Sequence, residues 1–528
     1  MQRFRGHGFA LLSGFICFLW AFLGWLTVIP NQDILADGIQ AQSLISDPRI
    51  VLSFPGQKHG GPIEYPFTIL AEWLAPGNYF ANALIRPFFA FITGFLIAKL
   101  FQTLFPMAPR WSFIAAIALG PTIIHGMLGP EGNPVGVWWL QPNWDVAWPL
   151  ITGGALLAAV NLRKIEDGIP MKLKGLLVFL LAGIFIGLGF WAHPATILLI
   201  VPLVSLVLMR FRFLLLPVLI TFLGSIIGII PAGISYIVNA DISTWNPSHG
   251  AFIAIDYYIS MGGSVLGLDG VPDYIIALLP YGMGFAPSQI IFDGYVQTAL
   301  VAATLIAFTV TALVATVNAV KHRRKLSYAG AISISWIITA ITLMVFITFI
   351  DPVWIYSSSY SILFWLTVGA LPTFFTVKWL GNIITFLVLF IEGTSTITHN
   401  ANFYSDIPQR IDSKVETMNS NKELAGALLD SGAEYIFGSY YDAVPIGYAS
   451  GGDLRTITSR YNRFPLSELE LQRDSIIVAV NLQPTEDWGI ESLDLLESNC
   501  ESTLVDPSSS ISPFGIYKCS PLVLDIRQ

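Results

Sequence analysis

The sequence predicts an α-helical polytopic membrane protein that ends in a small α/β domain. The chain has 528 residues, of which 54% are hydrophobic and 12% are charged. Its mean hydropathy is +0.65. A soluble domain carries about 25% charged residues. The apolar stretches are long and continuous, which is typical of membrane-spanning helices.

Runs of roughly 20 apolar residues predict about eleven spans. The first covers roughly residues 9–29. It exceeds the apolar region of a signal peptide, about 7–15 residues, and no small-residue cleavage site follows, so we interpret it as a retained signal anchor. The predicted spans centre near residues 19, 94, 119, 153, 184, 202, 226, 307, 338, 368 and 388.

The basic residues predict the orientation, because cytoplasmic loops are enriched in Lys and Arg. With these spans, six groups of basic residues fall on one side, and the loop at 239–292 contains neither Lys nor Arg. The N-terminus is therefore predicted to be cytoplasmic, and the C-terminal domain extracytoplasmic. The groups are Arg3 and Arg5; Arg110; Arg163, Lys164, Lys172 and Lys174; Arg210 and Arg212; Lys321, Arg323, Arg324 and Lys325; and Lys378.

Two domains are expected. A transmembrane domain covers residues 1–398 and carries large outer loops at 31–82 and 239–292, and an extracytoplasmic α/β domain covers 399–528. Residues 399–528 are more polar than residues 1–398, and their sequence alternates between patterns typical of helices and of strands. We predict a helix at 422–431, ended by Gly432, and strands at 435–438, 454–458 and 475–480.

The three cysteines divide between the two domains. Cys17 lies inside the first span, and Cys500 and Cys519 lie in the tail. A tail outside the cytoplasm is an oxidising setting, so Cys500 and Cys519 are predicted to form a disulfide.

The segment 33–64 is the main candidate for chemistry, because it follows the first span directly. Asp33 and Asp37 are four residues apart and would share one face of a helix. A carboxylate at the membrane surface can act as general base for an acceptor hydroxyl. The alternative is that Asp33 only caps a short interfacial helix.

Four further features are candidates for substrate binding. Lys58 can pair with a phosphate, and Gly60 and Gly61 allow a close approach of the backbone to a ligand. Arg86 and Asp145 lie at the starts of later spans. The alternatives are a lipid-headgroup contact for Lys58, an ordinary turn at the glycines, a snorkelling Arg86, and an Asp145 that only complements a helix dipole.

The predicted side of the membrane restricts the donor. A transferase outside the cytoplasm has no nucleotide-activated sugar, so a polyprenyl-phosphate sugar is the expected donor. The acceptor is left open as a glycan, a lipid or a protein, and membrane lipid is a further expected partner. No cofactor is assigned, and a divalent cation held by outer acids remains open. The basic residues form short clusters between spans, which excludes a nucleic-acid surface.

Several patterns in order suggest a family. Asp33 is followed about two dozen residues later by the run 56–64, which corresponds to Gly-Gln-x-Tyr-x-Gly-x-x-Glu. A glycine-rich span with Trp191 and Pro194 follows, and the tail contains Tyr440 and Tyr441. In these features the chain resembles the family-39-like branch of the bacterial C-superfamily (GT-C) membrane glycosyltransferases.

The resemblance implies an inverting sugar transfer in the bacterial inner membrane, with Asp33 as general base. Asp37 stays the second catalytic candidate because of its spacing. It also adds Gln57, His59 and Glu64 to the expected substrate-binding set. The chain departs from the family pattern at Ile34, His59 and Ser359.

Two other function classes remain open. A transporter or flippase is disfavoured, because no charged residue lies in the middle of a span and no inverted repeat is visible. A catalytically inactive scaffold with the same fold stays open because of Ile34 and Ser359.

Overall fold

The protein is described here by a computed structural model. The described residues are 2–30, 32–48, 50–52, 61–82, 84–119, 144–193, 196–211, 214–238, 294–322, 326–349, 361–399, 405–458, 472–482, 500–503 and 514–520. The chain forms two compact units. Unit 1 consists of Met1–Gly24, Arg86–Pro231 and Gly250–Asp406; unit 2 consists of Trp25–Ile85, Ala232–His249 and Ile407–Gln528.

The described residues are mostly helical, which confirms the predicted helical class. In chain order the helices are α1 (Gln2–Thr27), α2 (Gln32–Ser46), α3 (Tyr65–Leu74), α4 (Arg86–Leu104), α5 (Arg110–Leu119), α6 (Trp144–Glu166), α7 (Leu173–Ala192), α8 (Ile197–Arg210), α9 (Leu215–Val238), α10 (Gly294–His322), α11 (Tyr328–Phe349), α12 (Ser361–Ala370), α13 (Lys378–His399), α14 (Ile407–Asp430) and α15 (Tyr440–Ala449).

The predicted span centres all fall in helices, namely α1 and α4 to α13. Within the described part of the chain, five stretches are long and apolar enough to cross a membrane: His7–Thr27, Arg86–Leu104, Asp145–Glu166, Leu173–Ala192 and Leu215–Ser235. In α10, α11 and α13 the apolar segments identified there are 10–17 residues long, namely Thr309–Lys321, Tyr328–Thr342 and Lys378–Ile391. The count of eleven spans therefore stays a prediction.

Helices α7 and α9 of unit 1 approach each other closely through paired small residues. A side chain at Gly183 would collide with the carbonyl of Thr221, and one at Gly187 would collide with the carbonyl of Ser225. Gly224 faces the backbone of α7 in the same way. Small residues four apart let membrane helices pack backbone to backbone, so this pattern fixes the contact between the two helices.

Two arginines cap the C-terminal end of α4. Arg163 donates from Nη1 to the carbonyl of Thr103 at 3.1 Å, and Arg210 donates from Nε to the carbonyl of Leu104 at 2.9 Å. The last carbonyls of a helix lack partners within the helix and carry its negative dipole end. Arg163 of α6 and Arg210 of α8 thus hold α4 against these two helices.

Unit 2 contains a five-stranded mixed sheet. Its strands are β1 (Tyr435–Gly438), β2 (Arg455–Thr458), β3 (Ile476–Asn481), β4 (Glu501–Thr503) and β5 (Phe514–Cys519), in the order β2-β1-β3-β5-β4. Strand β1 runs parallel to β2 and β3, and β5 runs antiparallel to β3 and β4. Ile436, Ala479 and Ile446 belong to the core that α14 and α15 form on the sheet. The small C-terminal α/β fold is therefore confirmed.

Local sequence signals located these elements well, with one correction. The predicted strands match β1, β2 and β3 to within a residue. The predicted helix 422–431 is wrong at its start, because α14 begins at Ile407. The first half of α14 is polar and shows little apolar periodicity. Gly432 ends the helix with φ of 88°, a conformation that glycine adopts readily. A disulfide links Cys500 to Cys519 at the end of β5.

The predicted outer loop 31–82 is largely helical. It contains α2 and α3, and Pro66 lies in the first turn of α3, where a missing N–H costs no hydrogen bond. Both helices belong to unit 2, so the tail domain predicted at 399–528 shares its compact unit with this earlier segment.

Candidate functional site

Helix α2 provides the acidic candidates. It begins at Gln32, five residues after the last residue of α1, and places position 33 in its first turn. An acidic residue there is favoured by the helix dipole. Positions 33 and 37 are one turn apart on one side of the helix, as predicted from their spacing. Of Asp33 only the backbone is described, whereas the Asp37 side chain is fully buried.

The other side of α2 packs against the C-terminal elements of unit 2. Leu35, about 200° around the helix from position 33, shares a buried cluster with Val444 and Tyr448 of α15. A side chain at Gly38 would collide with the Tyr448 ring, so glycine permits this close contact. The packing therefore fixes the rotation of α2 about its axis and, with it, the side on which Asp33 and Asp37 lie.

A buried carboxylate, Glu72 of α3, connects this arrangement. Glu72 is 0% exposed. Its Oε1 accepts a hydrogen bond from the Tyr448 hydroxyl at 2.6 Å, and its Oε2 accepts from Gln42 Nε2 at 2.8 Å and from the Gly77 backbone N–H at 3.1 Å. The three donors come from α15, from α2 and from the turn after α3. Glu72 therefore joins three chain segments within unit 2.

Burial shifts the pKa values of Glu72 and Tyr448. It raises the pKa of Glu72, which the hydrogen bonds from Tyr448, Gln42 and Gly77 lower in part. Burial next to Glu72 holds the pKa of Tyr448 well above its usual value, so its hydroxyl stays protonated and donates. A buried acceptor that loses its donor costs about 1–3 kcal/mol. The cluster is thus a strong positional constraint on α2.

A second buried polar contact involves Lys414 of α14. Its Nζ donates to the carbonyl of Trp25, in the last turn of α1, which belongs to unit 2. The ammonium also lies 4.5 Å from the centre of the Phe80 ring, a cation–π distance. Burial lowers the pKa of Lys414 to about 7. The contact ties the C-terminal helix to the segment from which α2 starts.

Unit 1 contains a buried ion pair between two of the predicted residues. Arg86 begins α4, Asp145 lies in the first turn of α6, and each is 1% exposed. Arg86 Nε lies 3.4 Å from Asp145 Oδ2, and Asp145 Oδ1 accepts from the Val146 backbone N–H at 2.9 Å. The alternative of a snorkelling Arg86 is therefore wrong. Asp145 does occupy a helix first turn, and it also contacts a buried cation.

Only part of the glycine run 56–64 falls among the described residues. Gln57, Lys58, His59 and Gly60 lie outside the described residues. Gly61 is buried, and the backbone turns at 61–65 through hydrogen bonds from Ile63 to Gly61 and from Tyr65 to Pro62. Glu64 follows in this turn and is 0% exposed. Both stay candidate binding residues, and the turn directly precedes α3, which carries Glu72.

Sequence reasoning missed Glu72, Tyr448, Gln42 and Lys414. One signal was present for Glu72, because it is the single charged residue in the otherwise apolar helix α3. Such a residue needs a buried polar partner. No local sequence pattern identifies that partner, because Tyr448 is 376 residues away in the chain.

A metal site is not formed by the described side chains, among which no group of three or more His, Cys, Asp and Glu residues converges. Part of the acidic and histidine-containing run lies outside that set, so the divalent cation left open above remains a prediction.

Comparisons with known proteins found similarity among solved structures. No family model matches the sequence, and no curated protein matches it. Among solved structures, the chain is similar to ArnT from Cupriavidus metallidurans, solved bound to undecaprenyl phosphate. The similarity covers 96% of this chain and 97% of that one, with a TM-score of 0.47 and 10% sequence identity.

Removing one partner of the buried ion pair should destabilise unit 1. Asp145→Ala leaves Arg86 buried without its carboxylate, and we expect a loss of about 3–5 kcal/mol in unfolding free energy. The double variant Arg86→Met, Asp145→Leu should lose less than the sum of the two single changes. Chemical unfolding of the purified protein measures this. The control is Asp167→Ala, at an exposed position after α6, and equal effects of Asp145→Ala and the control would contradict the account.

The buried amine of Lys414 should make stability depend on pH. Its folded pKa of about 7 lies below its usual value of 10.5. Between these values the unfolded chain binds more protons, so unfolding free energy should rise as pH increases from 7 towards 10. Melting temperatures of wild type and Lys414→Met measure this, and the variant should show a flatter profile. Lys422→Met, at an exposed position of the same helix, should keep the wild-type slope; an unchanged slope in Lys414→Met would count against the assignment.

Proposed function

We propose that this chain is a membrane glycosyltransferase that moves a sugar from a polyprenyl-phosphate donor to an extracytoplasmic acceptor in a bacterial inner membrane. The observation that carries the proposal is the placement of α2. Two acidic positions, 33 and 37, lie one turn apart in a helix that starts directly after a 21-residue apolar stretch of membrane length. That helix is held by the buried contacts of Glu72 and Tyr448.

The chemistry follows from the residue types. Asp33 takes the proton of the acceptor hydroxyl as its oxygen attacks the anomeric carbon. The bond from that carbon to the donor phosphate oxygen breaks, and polyprenyl phosphate leaves with the electron pair. Attack from the side opposite the leaving group inverts the configuration. Asp37, one turn further along, is the second candidate for the base.

The leaving phosphate needs positive charge or hydrogen-bond donors. Lys58 is a candidate because it lies in the glycine run between α2 and α3. Arg86, the first residue of α4, is another, because its guanidinium is paired with Asp145 of α6. An arginine fixed in this way is suited to phosphate, since its N–H groups match phosphate oxygens in geometry.

Support for the membrane setting comes from composition and helix lengths. Five described stretches reach membrane length, and the basic residues fall on one predicted side. The Cys500–Cys519 disulfide is consistent with a C-terminal domain outside the cytoplasm, where disulfides persist.

The test is release of polyprenyl phosphate by purified protein in lipid. Wild type is given a panel of polyprenyl-phosphate sugars with glycan, lipid and peptide acceptors, with and without divalent cations. We expect release from at least one donor, and a rate about 100-fold lower or more for Asp33→Asn, the usual effect of losing a general base. Donor binding should change little.

Asp47→Asn is the matched control, because Asp47 is exposed directly after α2 and takes the same substitution. It should keep the wild-type rate. Full activity in Asp33→Asn with loss in Asp37→Asn would move the base by one turn. No release from any donor would instead favour the inactive-scaffold or transport alternatives.

A further inference from the structure

Unit 2 contains a cavity of about 370 Å³ that the proposed reaction does not use. This volume lies within the range of small-molecule sites, about 300–1,000 Å³. Polar side chains from four different elements of the unit reach it. They are Tyr79, before α4; Thr417 and Asn421 of α14; Asp442 of α15; and Asn481 at the end of β3.

The cavity lies on the opposite side of α2 from the acidic positions. Leu35 is the α2 residue that lines it. Positions 33 and 35 are two residues apart and therefore point about 200° away from each other around a helix. Leu35 is part of the buried cluster that holds α2 on α15. A molecule in this cavity would contact the back of α2, away from positions 33 and 37.

The lining chemistry selects a class of ligand. Hydroxyl, amide and carboxylate groups supply both hydrogen-bond donors and acceptors. None of the lining residues in the described chain is Lys or Arg, and Asp442 contributes a negative charge. An anionic phosphate or carboxylate ligand would be repelled there. A lipid tail would displace water from these polar groups and offer them no hydrogen bonds in return, which costs free energy.

Apolar side chains complete the wall. Phe514 and Ile446 are buried residues of the sheet core that reach the cavity, and Pro445 lies beside them. A pyranose has the matching character, because its ring presents C–H groups on its faces and hydroxyl groups around its edge. Small-molecule sites generally combine an apolar lining with a few fixed polar groups.

The polar side of the wall is ordered by contacts within unit 2. Asn421 donates from Nδ2 to the Tyr79 hydroxyl at 2.7 Å, and Tyr79 is 1% exposed. Asp442 accepts from the Ser439 hydroxyl at 2.7 Å in the first turn of α15. A site whose side chains are already positioned loses little conformational entropy when a ligand binds.

We propose that this cavity, the α14–α15 cavity, binds a neutral saccharide. The volume and lining of the cavity support the proposed saccharide binding, independently of the proposed function. Its use for a remote part of a glycan acceptor rests on the proposed function, with the reacting hydroxyl at positions 33 and 37 on the other side of α2.

Binding is tested without donor, so that it does not depend on catalysis. Saturation-transfer NMR on the protein in lipid nanodiscs would use cellobiose, mannobiose and diacetylchitobiose as neutral probes, and digalacturonate and glucose 6-phosphate as anionic ones. We expect at least one neutral probe to bind and the anionic probes to bind more weakly. Asn481→Leu and Thr417→Val should each weaken binding by about two- to ten-fold, the effect of one lost hydrogen bond.

Asn419→Leu is the control, at an exposed α14 position that does not line the cavity. It should bind like wild type, and melting temperatures show whether every variant is folded. Absence of binding by all neutral probes, tighter binding of the anionic probes, or unchanged binding in both folded cavity variants would overturn the proposal.

The same samples separate this proposal from the glycosyltransferase proposal. Asp33→Asn should bind the saccharide as wild type does, because position 33 lies across α2 from the cavity. Binding without any sugar transfer would support the cavity and count against the enzyme. Sugar transfer without saccharide binding would support the enzyme and overturn the cavity assignment.

Discussion

The arrangement of unit 2 depends on the hydrogen bonds that the buried carboxylate of Glu72 accepts. It is fully buried in an apolar helix and accepts hydrogen bonds from Tyr448, Gln42 and the backbone at Gly77. A buried carboxylate is tolerated only when such donors surround it. Two of the donors, Gln42 and Tyr448, lie 30 and 376 residues from Glu72. Satisfying this one group therefore requires α2, α3 and α15 to assemble together.

This assembly gives α2 two different sides. One side, with Leu35 and Gly38, is fixed on the C-terminal module by packing and close contact. Positions 33 and 37 lie on the other side. A catalytic carboxylate must be held to within a fraction of an ångström of its productive position. We interpret the C-terminal α/β module as the support that provides this precision for a base proposed to lie on a short helix at the membrane surface.

Much of the fold was predictable, because the relevant signals are local. Long apolar runs located α1 and α4 to α13, and the β-branched and aromatic stretch at 435–438 became β1. The pairing of Cys500 with Cys519 followed from the expected compartment. The polar start of α14 at Ile407 was missed, because tertiary contacts such as Lys414 with Trp25 stabilise that helix more than its own periodicity does.

The candidate site was predictable only in part. Spacing placed positions 33 and 37 on one side of α2, but Arg86 and Asp145 were identified separately, and their pairing depends on the packing of α4 against α6. Partners such as Glu72 and Tyr448 could not be paired from sequence, because 376 residues separate them. The roles of Gln57, Lys58, His59 and Gly60 stay predictions, since these residues lie outside the described part of the chain.

We infer that the Glu72–Tyr448 contact holds α2 in place. Hydrogen–deuterium exchange of the protein in lipid nanodiscs tests it directly, by comparing wild type with Tyr448→Phe. The variant keeps the ring but leaves the buried Glu72 without one donor, at a cost of about 1–3 kcal/mol. We predict exchange in α2 that is roughly ten-fold faster, with α7 unchanged as the internal control. Exchange in α2 at the wild-type rate would contradict the account.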